Sequence, residues 1–220
     1  MEKYLYCYKM TWDTECAPNP HEGVLTLAIC KPTIRRCSQI GDWISGWTAK
    51  AVHGKGGQIY PFDAQKLIYL ARITKKLTFE EYWKLYPQKR PKELNKNGEE
   101  RKKSCGSSTI NKAKNYNSGD NIYKPLTAHP LNFDEYEQVA NSNHGDGDKE
   151  HDLKGKYVLI CEEFYYYGVD HAKDIDSSIF REKVPRCKKI LLDNCYQFIN
   201  KIQNDKKVTI KGVSNENYTE

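Results

Sequence analysis

Tyr4, Tyr6 and Tyr8 interleave with Leu5, Cys7 and Lys9, and this period of two predicts a strand at the start of the chain. Thr14 to Gly23 (TECAPNPHEG) carries two prolines, Asn19 and a closing glycine, which predicts a shaped loop. Val24–Cys30 (VLTLAIC) is an apolar run of strand length, ended by Lys31 and Pro32. Gly41-Asp42 is a turn dipeptide that launches Trp43–Trp47 (WISGW), a strand with Trp43, Ser45 and Trp47 on one face. Lys66–Thr74 (KLIYLARIT) reads as the clearest strand. Thr78 with Glu81 three residues later forms a capping-box pattern, followed by Phe79, Tyr82, Trp83 and Tyr86 at helical spacing up to Pro87. Phe133–Val139 predicts a short helical turn, and Lys156–Phe164 (KYVLICEEF) a buried strand. Ile190, Leu191, Cys195, Phe198 and Ile202 share one face of a helix predicted over Pro185–Ile202, and 205–220 is polar enough to fray.

The order is mostly strands without βαβα alternation, so the predicted class is α+β. The expected architecture is a small curved mixed β-barrel with peripheral helices and a C-terminal helix. Val24–Cys30, Trp43–Trp47, Lys66–Thr74 and Lys156–Phe164 are expected in one strongly curved sheet.

Composition narrows the class. The chain has 220 residues, 38% hydrophobic and 29% charged, and much of its apolar content is aromatic, with 16 Tyr. No apolar run approaches the roughly 20 residues that span a bilayer, and Met1–Met10 lacks a signal-peptide pattern, so a soluble cytoplasmic domain is expected. The eight cysteines include no C-x-x-C pair and read as free thiols. Cys16, His21, Cys30 and Cys37 lack the short paired spacings of zinc sites. His144, Asp146, Asp148 and His151 lie in an acidic stretch without EF-hand spacing, so neither metal nor cofactor is expected. The net charge of +6 favours a phosphate-bearing partner. Its densest part, Lys84–Lys114, predicts a flexible basic insertion at about 87–115, dispensable for folding and able to contact nucleic acid non-specifically.

Several motifs occur together: Asp13, Ala17-Pro18-Asn19-Pro20, Gly23, Thr26-Leu27-Ala28, Cys30-Lys31-Pro32, Ile34-Arg35, Gly41-Asp42-Trp43 and Gly46. Further along come Gly119-Asp120-Asn121-Ile122-Tyr123, Asn143-His144, Leu159-Ile160, and Phe164 with Tyr167-Gly168. Together they resemble the second of the nucleotide-modification-associated domain families, over about residues 4–170. The resemblance implies a role beside systems that modify bases in phage and bacterial DNA. A Gly-Asp turn into a strand, a hairpin, and an apolar strand followed by an aromatic helix is also similar to the PUA-like group (EVE, YTH and ASCH domains). The implied organisation is a PUA-like domain over 1–170, a helical extension over 171–204 and a frayed tail.

The chemistry expected is nucleotide recognition. Trp43 and Trp47 would stack a base, with Ser45 between them and Gly46 removing bulk behind, at about 1–3 kcal/mol per base. Lys31, Arg35 and Arg36 would hold phosphate. Asn19, Asp13, Asn121 and Tyr123 would contact the base, and Asp13, His21, Asp120 and His144 are the candidate acid–base groups. No P-loop, Rossmann fingerprint, nucleophile elbow or H-E-x-x-H motif occurs. The first reading is a binding module for a nucleotide or modified DNA, serving a DNA-modification or phage-conflict system, with no membrane partner. The alternative is an enzyme on the same scaffold that modifies or hydrolyses a nucleotide or modified base.

Overall fold

Alternation in the first strand buries both of its faces. In β1 (Tyr4–Trp12), Tyr6, Tyr8 and Met10 enter one apolar layer while Leu5 and Cys7 enter another. A strand buried on both sides belongs in the interior of a sheet, and β1 lies between two others. The computed structural model describes residues 2–94, 116–175 and 187–212. Its elements continue with β2 (Leu25–Leu27), α1 (Pro32–Cys37), β3 (Trp43–His53), β4 (Ile59–Pro61), β5 (Leu67–Arg72) and β6 (Lys75–Thr78). Then follow α2 (Phe79–Leu85), β7 (Tyr123–Pro125), β8 (Tyr136–Gln138), α3 (Lys149–Leu153), β9 (Tyr157–Cys161) and β10 (Glu163–Tyr166). β11 (Cys187–Leu191), α4 (Tyr196–Gln203) and β12 (Ile210–Gly212) are the last of the described elements.

The architecture is α+β, but the described strands do not close into a barrel. The large sheet runs β11-β1-β3-β5-β10-β12 with β4 beside β3, and a second sheet runs β2-β9-β6. β7 and β8 form a separate hairpin. The expectation of one sheet is therefore wrong: Val24–Cys30 and the first part of Lys156–Phe164 lie in the small sheet, whereas Trp43–Trp47 and Lys66–Thr74 contribute to the large one. The cause is a bend in one antiparallel pair. Arg72 pairs with Glu163 in the large sheet, and Lys75 with Ile160 in the small one. Between them Thr74 Oγ1 donates to Ile160 O (3.0 Å) and accepts from Glu162 N (3.2 Å), which satisfies the backbone where the ladder breaks.

Three apolar layers result. Tyr6, Tyr8, Ile44, Ile68 and Tyr166 of the large sheet meet Leu25, Leu27 and Leu159 of the small one. On the opposite face of the large sheet, Trp43, Trp47 and Leu70 pack under Phe198, Ile199 and Ile202 of α4. Val158 and Ile160 on the outer face of the small sheet meet Phe79 and Tyr82 of α2, Tyr123 and Leu153. The capping box on α2 forms as expected, with Thr78 Oγ1 accepting from Glu81 N and Thr78 N donating to Glu81 Oε2.

Other local expectations give way to pairing. Of the helix predicted over Pro185–Ile202, 185–186 lies outside the described residues and the rest is strand β11 followed by the shorter α4, because the open edge of β1 takes up residues 187–191. Phe133–Val139 is one 3₁₀ turn and then β8. The tail, expected to fray from 205, supplies β12 on the edge of β10. Within 171–204, β11 forms one edge of the large sheet and α4 covers one of its faces, while 176–186 lies outside the described residues. Of the basic insertion, 95–115 lies outside the described residues. Residues 87–94 are placed, and Lys89 is buried. Among the described residues no helix is long and apolar enough to cross a membrane.

Candidate functional site

Cys30 sits where β2 turns into α1, on backbone that L-residues rarely adopt: Cys30 has φ 59° and Lys31 φ 43°. Two groups hold this turn. Asp152 Oδ1 accepts from Cys30 N at 2.6 Å, and Arg35 Nε donates to Cys30 O at 2.7 Å. Arg35 also donates from Nη1 to Tyr157 O (2.8 Å) and from Nη2 to Asp152 O, so one guanidinium ties the turn to α3 and β9. It lies flat over Gly155, where a Cβ would stand 2.4 Å from Cζ, so glycine is required there.

His144 reaches the same place from the loop after β8. Buried Asn141 folds that loop: its Oδ1 accepts from Asn143 N (2.8 Å) and His144 N (2.7 Å), and its Nδ2 donates to His144 O (3.1 Å). His144 Nε2 then stands 3.4 Å from Cys30 Sγ and 3.5 Å from Asp152 Oδ2. Tyr123, from β7, donates its hydroxyl to Asp152 Oδ2 at 2.8 Å. His144 Nδ1 is buried without a hydrogen-bond partner. Asp152 is fully buried, whereas Cys30 and His144 are partly exposed, so the cluster opens toward the surface. Burial, and then the Asp152 carboxylate, push the Cys30 thiol up to about 12. A thiol raised in this way is not a ready nucleophile at neutral pH. Nor do the contacts form a relay, because thiol and carboxylate both face Nε2.

Of the candidate acid–base groups, His144 lies in this cluster and the others lie elsewhere. Asp13 is buried beyond the end of β1 and accepts from Tyr166 Oη at 2.7 Å; burial raises its carboxyl to about 6. His21 Nε2 pairs with Glu15 at 2.6 Å, and Lys55 joins the same carboxylate. Asp120 accepts from Tyr82 Oη (2.6 Å) and Thr26 Oγ1 (2.7 Å), and burial raises its carboxyl. Asn19 belongs to the same buried layer: Lys89 Nζ donates to its O (3.1 Å), to its Oδ1 (2.8 Å) and to Val24 O (2.6 Å).

The expected ligand contacts are mostly internal. Trp47 is fully buried, its ring stacked on Phe198 at 5.9 Å and its Nε1 donating to Ser45 Oγ. Trp43 packs beside it, so the two rings are core under α4 instead of an open platform. Gly46 leaves no room for a base either, because a Cβ there would meet Met10 Sδ at 2.3 Å and Tyr69 Cε1 at 2.4 Å. Arg35 carries backbone carbonyls, not phosphate. Asn121 Nδ2 donates to Tyr82 O and Tyr86 O, and Tyr123 serves Asp152. Lys31 Nζ lies over the Tyr8 ring at 4.6 Å, and Arg36 is exposed.

Sequence reasoning missed Asp152, Cys30 as a partner of His144, and Trp12. Trp12 is 58% exposed and stacks on His53 at 4.2 Å and 17°. Its place at the end of β1, where alternation no longer has a layer to enter, was the available signal. A shallow cleft of about 660 Å³ is lined by Lys66, Asp170, His171, Lys173, Asp174 and Lys207.

A family model described as nucleotide modification associated domain 2 matches residues 1–216. The match takes in β11, α4 and β12, beyond the limit near 170 expected from motifs. No curated protein and no solved structure matches the chain.

Proposed function

The chain belongs to the nucleotide modification associated domain 2 family, and from that premise we propose that it acts chemically on a nucleotide or modified base, with Cys30, His144 and Asp152 as the reacting centre. The observation that carries this reading is the convergence of a thiol, an imidazole and a carboxylate from three separate segments at the partly exposed mouth of a strained turn. His144 Nε2 faces both other groups and marks the point at which they would engage a substrate atom. Asp152 is fixed beside it by Cys30 N and Tyr123 Oη. Stacking and phosphate contacts would come from surfaces other than the core tryptophans. Trp12 on His53 offers an aromatic face, worth about 1–3 kcal/mol for a stacked base. The cleft sets Lys66 and Lys207 beside Asp170 and Asp174, with Lys173 paired to Asp205, so phosphate contacts there would rest on Lys66 and Lys207.

The binding-module reading is weaker because its proposed platform and its guanidinium fork both have internal partners. In a DNA-modification or phage-conflict setting the substrate would be a modified base or its nucleotide. The test is mass spectrometry of a nucleotide pool, and of canonical and hypermodified DNA, after incubation with the wild-type protein and with His144→Gln. A changed mass that disappears in the variant, with melting temperature held, is the expected result. Ligands of unchanged mass that raise the melting temperature would overturn catalysis in favour of binding.

A further inference from the structure

The contacts of His144 cannot all be satisfied by protons. One nitrogen, Nε2, faces both Cys30 Sγ at 3.4 Å and Asp152 Oδ2 at 3.5 Å, while Nδ1 is enclosed. As a donor Nε2–H serves the carboxylate but not the thiol proton; as an acceptor it serves the thiol and leaves two lone pairs facing each other. A cation at the common point satisfies all three.

The separations of His144 Nε2 from the other two donors fit that reading. Metal–ligand bonds of about 2.3 Å to sulfur, 2.0–2.1 Å to imidazole nitrogen and 2.0–2.2 Å to carboxylate oxygen, arranged tetrahedrally, put sulfur and nitrogen about 3.5 Å apart and nitrogen and oxygen about 3.3–3.5 Å apart. The three donor atoms lie within 4.8 Å of one another. The donor set names the ion: thiolate with imidazole excludes a preference for magnesium or calcium and suits zinc. Outer support is in place for the carboxylate, while His144 Nδ1, which would carry the proton when Nε2 ligates, has no acceptor. Asp152 Oδ1 is held by Cys30 N and Oδ2 by Tyr123 Oη, the outer contacts that orient a ligating carboxylate. The left-handed backbone at Cys30 and Lys31 is strain that Asp152 and Arg35 retain.

We infer that Cys30 Sγ, His144 Nε2 and Asp152 Oδ2 bind one zinc ion, with a fourth position free for water or a substrate atom. Three protein ligands and one open position is the pattern of catalytic zinc sites, as opposed to the closed four-ligand pattern of structural ones. The inference deepens the proposed function and rests on it for the role of the metal, though not for its presence.

Full-length protein is dialysed against zinc, freed of loose metal by gel filtration, and assayed by elemental analysis. About one zinc per chain is expected, falling to background in Cys30→Ser and His144→Gln. Cobalt substitution of the wild-type protein reads the ligand directly without depending on a variant that folds. A cobalt–thiolate charge-transfer band lost in Cys30→Ser supports the site. Tyr123→Phe keeps all three donors and should weaken zinc binding by about 10–100-fold. Wild-type protein with no retained metal and no charge-transfer band overturns the inference, as does zinc retained equally by both ligand variants. The two readings fail separately. Bound zinc with no change in nucleotide mass leaves the metal site standing and removes the enzyme. His144-dependent turnover that survives in metal-free protein leaves the enzyme standing and removes the zinc from its chemistry.

Discussion

Replacing Arg35 by lysine keeps the positive charge and removes the fork. In the folded protein the guanidinium is fully buried, and its three nitrogens donate to Cys30 O, Tyr157 O and Asp152 O. These carbonyls belong to the turn before α1, to α3 and to β9, and they approach from different directions around Gly155. A lysine ammonium sits at the end of a single flexible stem and cannot meet all three. Leaving two charge-assisted bonds unmade, at about 1.5–3 kcal/mol each, gives an expected loss of about 3–6 kcal/mol. For a chain of this size each kcal/mol moves the melting temperature by about 2–4 °C, so the shift should be on the order of 10–20 °C. Thermal melting of Arg35→Lys beside the exposed control Arg36→Lys measures it, and the control should stay within about 0.5 kcal/mol of wild type. A phosphate-binding Arg35 gives a different result: Arg35→Lys would then melt within a degree or two of wild type and lose only ligand affinity. That result would refute the structural role argued here and restore the contact expected from sequence.

Trp47→Ala should lose about 3–5 kcal/mol of stability with ligand affinity per folded molecule unchanged, measured by denaturant melts and by titration of the folded fraction. Unchanged stability would return the ring to the surface. Lys89→Met should lower stability by about 3 kcal/mol, because three acceptors lose a charged donor inside the protein; a melting temperature within about 2 °C of wild type would contradict this. Asp13 titrates near 6 when folded, above an unfolded value of about 3.9, so the native state holds the extra proton between these pH values. Its contribution is therefore fully present below about pH 4 and is lost as pH rises through about 6, by up to about 3 kcal/mol. Asp13→Asn, which can still accept from Tyr166 Oη, should gain on wild type in melting temperature between pH 4 and pH 7; parallel profiles would count against the buried carboxyl.

Local signals were legible wherever the chemistry is local. The alternation at Tyr4–Lys9, the apolar run at Lys66–Thr74 and the Thr78–Glu81 capping box each specify an element from residues a few positions apart, and each forms. Burial of Trp43 and Trp47 was equally consistent with a stacking platform, because strand periodicity says which face they share and not what covers it. The cover is α4, more than 140 residues later. The same distance explains the C-terminal misreading. Ile190 and Leu191 have helical spacing relative to Phe198 and Ile202, but the unpaired edge of β1 takes them into a strand.

The site shows the division most clearly. Sequence neighbours suggested two metal-type groups, one around Cys16 to Cys37 and one around His144 to His151, and rejected both on spacing. Folding takes Cys30 from the first and His144 from the second, 114 residues apart, and adds Asp152, which neither group contained. Nothing in the spacing of 30, 144 and 152 marks them as partners. Their meeting depends on a left-handed turn, on an asparagine-folded loop, and on a buried arginine fixing α3 against that turn. Sequence by itself determined the residue types available, the α+β class and those elements whose signals are local, such as β1, β5 and α2. The tertiary structure decided which side chains share a point in space, because donor convergence depends on long-range packing and on backbone that no local propensity favours.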